Sequence, residues 1–192
     1  MYYKNYSFKI TMLALLIIMF ASSCGSLKPS LQGTVYPSPA PAADIVLTDH
    51  NGQPFQLSRF RGKVALVFFG FSNCVSECPA TLAIIRQALE TADVPSQDVV
   101  VVMVSTDPAR DTPESMKEFM ERFNPEYLGL LGTIDALKKA WLDYGVIVLE
   151  DGETHSSFTY VVDKQGFLRE TFSPDTSSED IALDLKILLA EE

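Results

Sequence analysis

Two uninterrupted apolar runs mark the centre of the fold. Val64-Ala-Leu-Val-Phe-Phe69 and Val99-Val-Val-Val-Met-Val104 show no polar alternation, as expected of strands covered on both faces. Between them Leu82, Ile85 and Leu89 recur at helical spacing after Pro79. Strand, helix, strand in this order predicts a βαβ unit whose two strands run parallel. Earlier in the chain, Ile45 to Leu57 alternates weakly around the turn Asp49-His50-Asn51-Gly52, which predicts a β-hairpin. His50 is expected to be a solvated residue of that turn.

The pattern after the second strand is mostly helical. Thr112 suits a helix cap, Pro113 the first turn and Glu114 the positive end of the helix. Met116, Phe119, Met120 and Phe123 follow at i, i+3, i+4, i+7, a core stripe rather than a set of sulfur ligands. A further helix is predicted from about Thr133 to Tyr144 with Ile134, Leu137 and Trp141 inward, then a short strand over Val146 to Leu149. Phe158 to Val162 and Phe167 to Phe172 flank Asp163-Lys164-Gln165-Gly166, a second hairpin. Ser177 or Ser178 opens a last helix that buries Ile181, Leu185, Leu188 and Leu189. The resulting order is hairpin, βαβ, two helices, hairpin, helix. That is an α/β fold of the thioredoxin-like arrangement, a central mixed sheet flanked by helices with an N-terminal β-hairpin.

Composition narrows the function classes. The 192 residues, 47% apolar and 21% charged, suit one globular domain and exclude a disordered or fibrous chain. A net charge of −10 repels a phosphate backbone, so nucleic-acid binding is not expected. Three cysteines are too few to staple the scaffold, and the core must come from apolar packing.

The amino-terminal segment reads as an export signal. Lys4 and Lys9 precede an apolar run from Ile10 to Ala21 broken only by Thr11, shorter than the roughly 20 residues of a spanning helix. It ends in Ala21-Ser22-Ser23-Cys24, which resembles the lipobox of bacterial lipoproteins, with Ala21 where Leu is usual. The resemblance implies a signal peptide over 1–23 and lipidation of Cys24; an ordinary secretory signal is the alternative. Residues 24–43, rich in Pro, Ser and Ala, read as a tether, and 44–192 as the domain. The chain is then expected in the bacterial cell envelope, lipid-anchored, with its domain on the extracytoplasmic side.

With Cys24 lipidated, Cys74 and Cys78 are the remaining thiols. They lie in Phe71-Ser-Asn-Cys74-Val-Ser-Glu-Cys78-Pro79, just past the carboxyl end of the first central strand, where open α/β sheets place their sites. A helix start favours thiolate, which is both nucleophile and metal ligand. A disulfide without function, or two buried thiols, is the structural alternative. His155, in Asp151-Gly-Glu-Thr-His-Ser156, precedes the strand whose leading loop faces the cysteine loop in a thioredoxin-like fold. Two thiolates with an imidazole suit a soft ion of low coordination number, Cu(I) above all, whereas zinc requires a fourth ligand or a water.

From about Asp44 to Leu189 the chain resembles the Sco/SenC family of copper chaperones. The matching pieces include Asp49-His-Asn-Gly52, Phe60-Arg-Gly-Lys63, Cys74-x-x-x-Cys78-Pro79, Asp107-Pro-Ala-Arg-Asp-Thr-Pro113, and His155-Ser156 followed by Tyr160-Val-Val-Asp163. The resemblance implies copper ligation, as Cu(I) and also Cu(II), by Cys74, Cys78 and His155. It also implies a role in building the dinuclear copper centre of cytochrome c oxidase, with the oxidase's copper-bearing subunit or another copper chaperone as partner. The chain is expected to act as a monomer and not as an enzyme. The chief alternative is a thiol-disulfide oxidoreductase of the cell envelope using Cys74 and Cys78 as its redox pair. The chain departs from the family in carrying Val75-Ser76 where Pro-Asp is usual and Thr154 where an Asp usually precedes the histidine. Asp107, Arg110 and Asp111 match the family but are explained at this level only as a local ion pair and a helix-start turn.

Overall fold

A computed structural model describes residues 30–191; the expected signal peptide over 1–23 and Cys24, the expected site of lipidation, fall outside these residues. Eight strands form one sheet: β1 (Thr34–Pro41), β2 (Val46–Asp49), β3 (Pro54–Gln56), β4 (Val64–Gly70), β5 (Val99–Ser105), β6 (Leu128–Leu131), β7 (Thr159–Val162) and β8 (Phe167–Phe172). Their spatial order is β1-β8-β7-β4-β5-β6-β2-β3. β4, β5 and β6 run parallel, and the other neighbouring pairs are antiparallel. The helices are α1 (Glu77–Ala92), α2 (Pro113–Glu121), α3 (Ile134–Asp143) and α4 (Ser178–Ala190). The expected thioredoxin-like mixed sheet is present, and β2 with β3 is the expected hairpin.

All seven residues of β4 and all seven of β5 are buried. Alternation along β4 splits the core into two layers. Val64, Leu66 and Phe68 pack with α1, α2 and α4 on one face, while Ala65, Val67 and Phe69 pack with α3 and the β2–β3 side on the other. Each fully buried Leu, Val or Phe contributes about 1.5–3 kcal/mol, so these two strands anchor the domain. Thr112 caps α2 by accepting from the Ser115 amide, and the Ser115 hydroxyl accepts from the Thr112 amide in return, a reciprocal cap worth about 1 kcal/mol. Met116 lies against Gly129 of β6, where any side chain would collide with it.

Four expectations change. The tether read over 24–43 gives way to β1 within it, since residues 34–41 pair with β8. Pro37, Pro39 and Pro41 lack amide donors, which an edge strand tolerates. His50 is not solvated. It is buried, its Nδ1 accepts from the Gly129 amide at 3.0 Å, and its own amide donates to the Gly129 carbonyl. Asp49 gathers the Asn51 and Gln53 amides and folds the turn back; burial then lowers the His50 pKa. Ile134 stays 45% exposed, because α3 meets the sheet through Leu137, Ala140 and Trp141. The strand expected over 146–149 is a single bridge, Val148 with His155.

The chain enters β1 through a buried acid pair. Asp184 of α4 accepts from the Gln32 and Gly33 amides, and Glu170 of β8 accepts from Gly33 at 3.1 Å. Gly33 is required, since any side chain would strike the Glu170 carboxyl. Burial, then the Asp184 charge, pushes the Glu170 carboxyl up to about 8, and burial raises Asp184 as well. The folded chain therefore holds a proton that the unfolded chain releases near its ordinary carboxyl value, so stability falls as pH rises from about 5 to 8. Glu170→Gln should flatten this decline and stabilise the fold at pH 9 by on the order of 1 kcal/mol, a few degrees in Tm. Melts at pH 5 and pH 9 check it; an unchanged difference between the two would reject the shared proton.

Candidate metal centre

β4 ends at Gly70, paired in register with Ser105 at the end of β5. Both strands therefore release their loops on the same side of the sheet. After Gly70 the chain runs through Phe71, Ser72 and Asn73 to Cys74, and Ser76 occupies the N-cap position of α1. Ser76 makes no side-chain cap bond. Instead Sγ of Cys74 accepts from the Cys78 amide at 3.3 Å, so a sulfur stands where a capping oxygen normally would.

The two thiols are free and unequal. Cys74 is half-buried, Cys78 fully buried. Burial, then the hydrogen bond with Cys74, pushes the Cys78 thiol far above its ordinary value. A side chain at Gly70 would meet Sγ of Cys78 at 2.9 Å and Sδ of Met103 at 3.2 Å, so glycine there makes room for the second sulfur.

His155 sits on the facing loop, half-buried. Ser156 exchanges two bonds with Ile147, and the Leu149 amide donates to the Thr154 carbonyl. Its ring packs edge-on against Phe71, centroids 5.9 Å apart at 89°. Nδ1 lies 3.1 Å from the Ser156 carbonyl; with the proton on Nδ1, that bond leaves the Nε2 lone pair available to a metal. Asp151 holds the loop by accepting from Thr154 twice and from the Glu153 amide, bonds that keep its carboxyl below the usual range.

The structure thus brings Cys74 and Cys78 together and faces them with His155 through two contacts. One is the Phe71 ring; the other is the Ser157 hydroxyl donating to Glu77 at 2.6 Å. Among the described residues, no three His, Cys, Asp or Glu side chains already converge as a metal-holding group. The loop that carries the imidazole touches the segment that carries the thiols, without the three side chains forming one cluster.

Sequence reasoning singled out Asp111 but missed its role. Its carboxylate accepts from the Ser72 amide at 2.9 Å, the Ser72 hydroxyl at 2.7 Å and the Ser105 hydroxyl at 2.5 Å. It also missed the reach of Arg110, which pairs with Asp107 and with Glu153. Their position just past the end of a central strand was the available signal.

A thioredoxin-like domain with two thiols at the strand-to-helix junction and a histidine on the opposing loop is the class these observations define. A family model described as SCO1/SenC matches residues 38–190, and the chain belongs to that family. It is 34% identical over 144 residues to a SCO2-like protein of Rickettsia prowazekii, covering 70% of each chain. The solution structures of apo Sco1 from Thermus thermophilus superpose with a TM-score of 0.73 at 35% identity, covering 85% of this chain and 99% of that one. The structure of ScoI from Bradyrhizobium japonicum with copper bound gives 0.67 at 31% identity, over 78% and 99%.

The burial difference between the thiols generates a prediction. In the reduced protein at pH 8, iodoacetamide should modify Cys74 at least tenfold faster than Cys78, and urea should abolish the difference. Peptide mass analysis over time checks it; equal rates in the folded protein would contradict the burial of Cys78.

Proposed function

We propose that this chain is a metallochaperone of the cell envelope that carries copper on Cys74, Cys78 and His155. Its task is to deliver the ion to the dinuclear copper site of cytochrome c oxidase, or to prepare that site's thiols. The supporting observation is the pairing of two adjacent free thiols, one capped by a helix amide, with an imidazole on the facing loop. Family membership adds weight, as does the copper bound in the Bradyrhizobium japonicum relative. Copper here is cargo. Cu(I) prefers soft thiolates, and the imidazole completes a low-coordinate set. Binding displaces thiol protons, so uptake strengthens as pH rises. Phe71 holds the His155 ring near the thiols, and the partly exposed Cys74 is the sulfur a receiving protein reaches first.

The oxidase's copper-bearing subunit or another copper chaperone is the partner, the carrier acts as a monomer, and Cys24 carries the lipid that tethers it to a membrane. Replacing Cys24 by Ser should abolish acylation and release the protein into the soluble fraction; persistent acylation would reject the anchor.

Free, adjacent thiols of unequal exposure also favour a second reading, a thiol-disulfide oxidoreductase. There, Cys74 thiolate attacks a target disulfide, one target sulfur leaves as thiolate, and Cys78 then displaces the other while closing the Cys74–Cys78 disulfide. Target is reduced by two electrons and the chain oxidised by two.

The variant His155→Ala separates the readings. It lies in a polar loop, so the fold should survive with its Tm changed by only a few degrees. For a copper carrier, Cu(II) binding should be largely lost and Cu(I) binding weakened about tenfold or more, with disulfide closure retained. Titration of both ions into both proteins, with melts as control, decides it. Copper binding equal to wild type would remove His155 from the ligand set and favour the oxidoreductase.

A further inference from the structure

The segment from Ser105 to Asp111 touches both halves of the site. Parallel pairing sets Ser105 beside Gly70, and the Thr106 amide donates to the Gly70 carbonyl at 2.9 Å. The cysteine loop and this segment therefore leave the sheet side by side. Asp111, buried, takes both the amide and the hydroxyl of Ser72, two residues before Cys74. Its neighbour Arg110 turns the other way. Its guanidinium pairs with buried Asp107 and reaches Glu153 at 2.5 Å, two residues before His155. Thr106 supports the same contact, its hydroxyl donating to the Gly152 carbonyl at 2.9 Å. At Gly152, with φ +70°, an added Cβ would lie 3.0 Å from the Thr106 carbonyl oxygen and 3.1 Å from the Asp107 Cβ, a closeness that favours glycine.

Helix initiation does not account for this pair. The start of α2 is already capped reciprocally by Thr112 and Ser115. Nor does stability account for the reach of Arg110 to Glu153. Its side chain is 45% exposed and that of Glu153 51%, and an ion pair so exposed contributes about 0–1 kcal/mol. What the bonds do achieve is geometric. Two consecutive residues each hold one ligand-bearing loop at the same distance in sequence from its ligand.

We propose that Arg110 and Asp111 are positioning residues, a double strut that sets the spacing between the Cys74–Cys78 pair and His155. Arg110 governs the imidazole and Asp111 the thiol loop. This rests on the copper-carrier reading for its consequence, though not for its geometry. Because the His155 loop touches the thiol segment while the three side chains form no cluster, restricting that loop lowers the conformational cost of bringing the imidazole onto a bound ion.

The experiment uses the full-length chain and two readouts. The first needs no metal: NMR of the apo protein, observing the His155 ring protons, which Phe71 shifts by its ring current. Arg110→Gln should move these resonances at least halfway to free-imidazole values while leaving the Cys74 and Cys78 signals in place. Asp111→Asn should move the cysteine signals most, with Ser72→Ala as the milder variant should Asp111→Asn unfold. The second is Cu(II) titration. Arg110→Gln should weaken binding about tenfold, Arg110→Lys should recover part of the loss, and the Tm should stay within about 3 °C. In a His155→Ala background the Arg110 effect should vanish, because the strut acts through that ring. Unmoved His155 resonances in Arg110→Gln, or an Arg110 effect undiminished without His155, would overturn the proposal. A wild-type chain that binds no copper would instead overturn the copper reading, and the apo resonances would still decide the strut.

Discussion

The parallel pairing of β4 with β5 is the constraint on which the site depends. Seven residues of each strand face one another in register, from Val64 with Val99 to Gly70 with Ser105, and every one is buried. Parallel strands end on the same side, so the loop carrying Cys74 and the segment carrying Asp111 start as neighbours. A slip of one residue would exchange the two faces of β4. Phe68 would leave the α1 layer, Phe69 would leave the α3 layer, and Ser105 would no longer sit beside Gly70. The core thus enforces a register that the site uses.

Chemistry at that edge follows from unequal burial. A carrier must hold a soft ion and also release it, and two equally sealed thiols would serve only the first need. Here the first turn of α1 draws Cys78 into the core beneath Gly70 and beside Met103, while Cys74 stays half-buried and takes an amide from the helix. The same asymmetry suits disulfide exchange, in which one sulfur attacks and the other resolves. The proposed copper transfer and the alternative thiol chemistry therefore share one arrangement, and replacing His155 is what tells them apart.

What the sequence reveals here depends on the range of the interaction. The continuous apolar runs of β4 and β5, the core stripe of α2 and the cap at Thr112 are local patterns and were legible, as was the association of Cys74, Cys78 and His155 with one end of the sheet. β1 was not, because its Pro-rich sequence carries no strand pattern and its partners in β8, Phe167 to Thr171, lie far along the chain. His50 was misread because its partner, Gly129, lies in β6, itself only four residues long. Asp111 and Arg110 were visible as charges but not as struts: their partners Ser72 and Glu153 lie 39 and 43 residues away, and no periodicity encodes such bonds.

The departures from the family pattern acquire a physical meaning in this light. The chain lacks the usual acid two residues after the first cysteine and the one before the histidine, where Ser76 and Thr154 stand. Each has an acid one residue away, Glu77 and Glu153. Neither is idle: Glu77 accepts from Ser157 across the gap between the loops, and Glu153 accepts from Arg110. Thr154 in turn donates its hydroxyl to Asp151 and tightens the loop that presents His155. Negative charge near the site is kept but committed to bonds between and within the loops. Glu77 also acts through its charge, which helps to raise the Cys78 thiol, while Glu153 bears on the loop that carries His155 through its bond to Arg110.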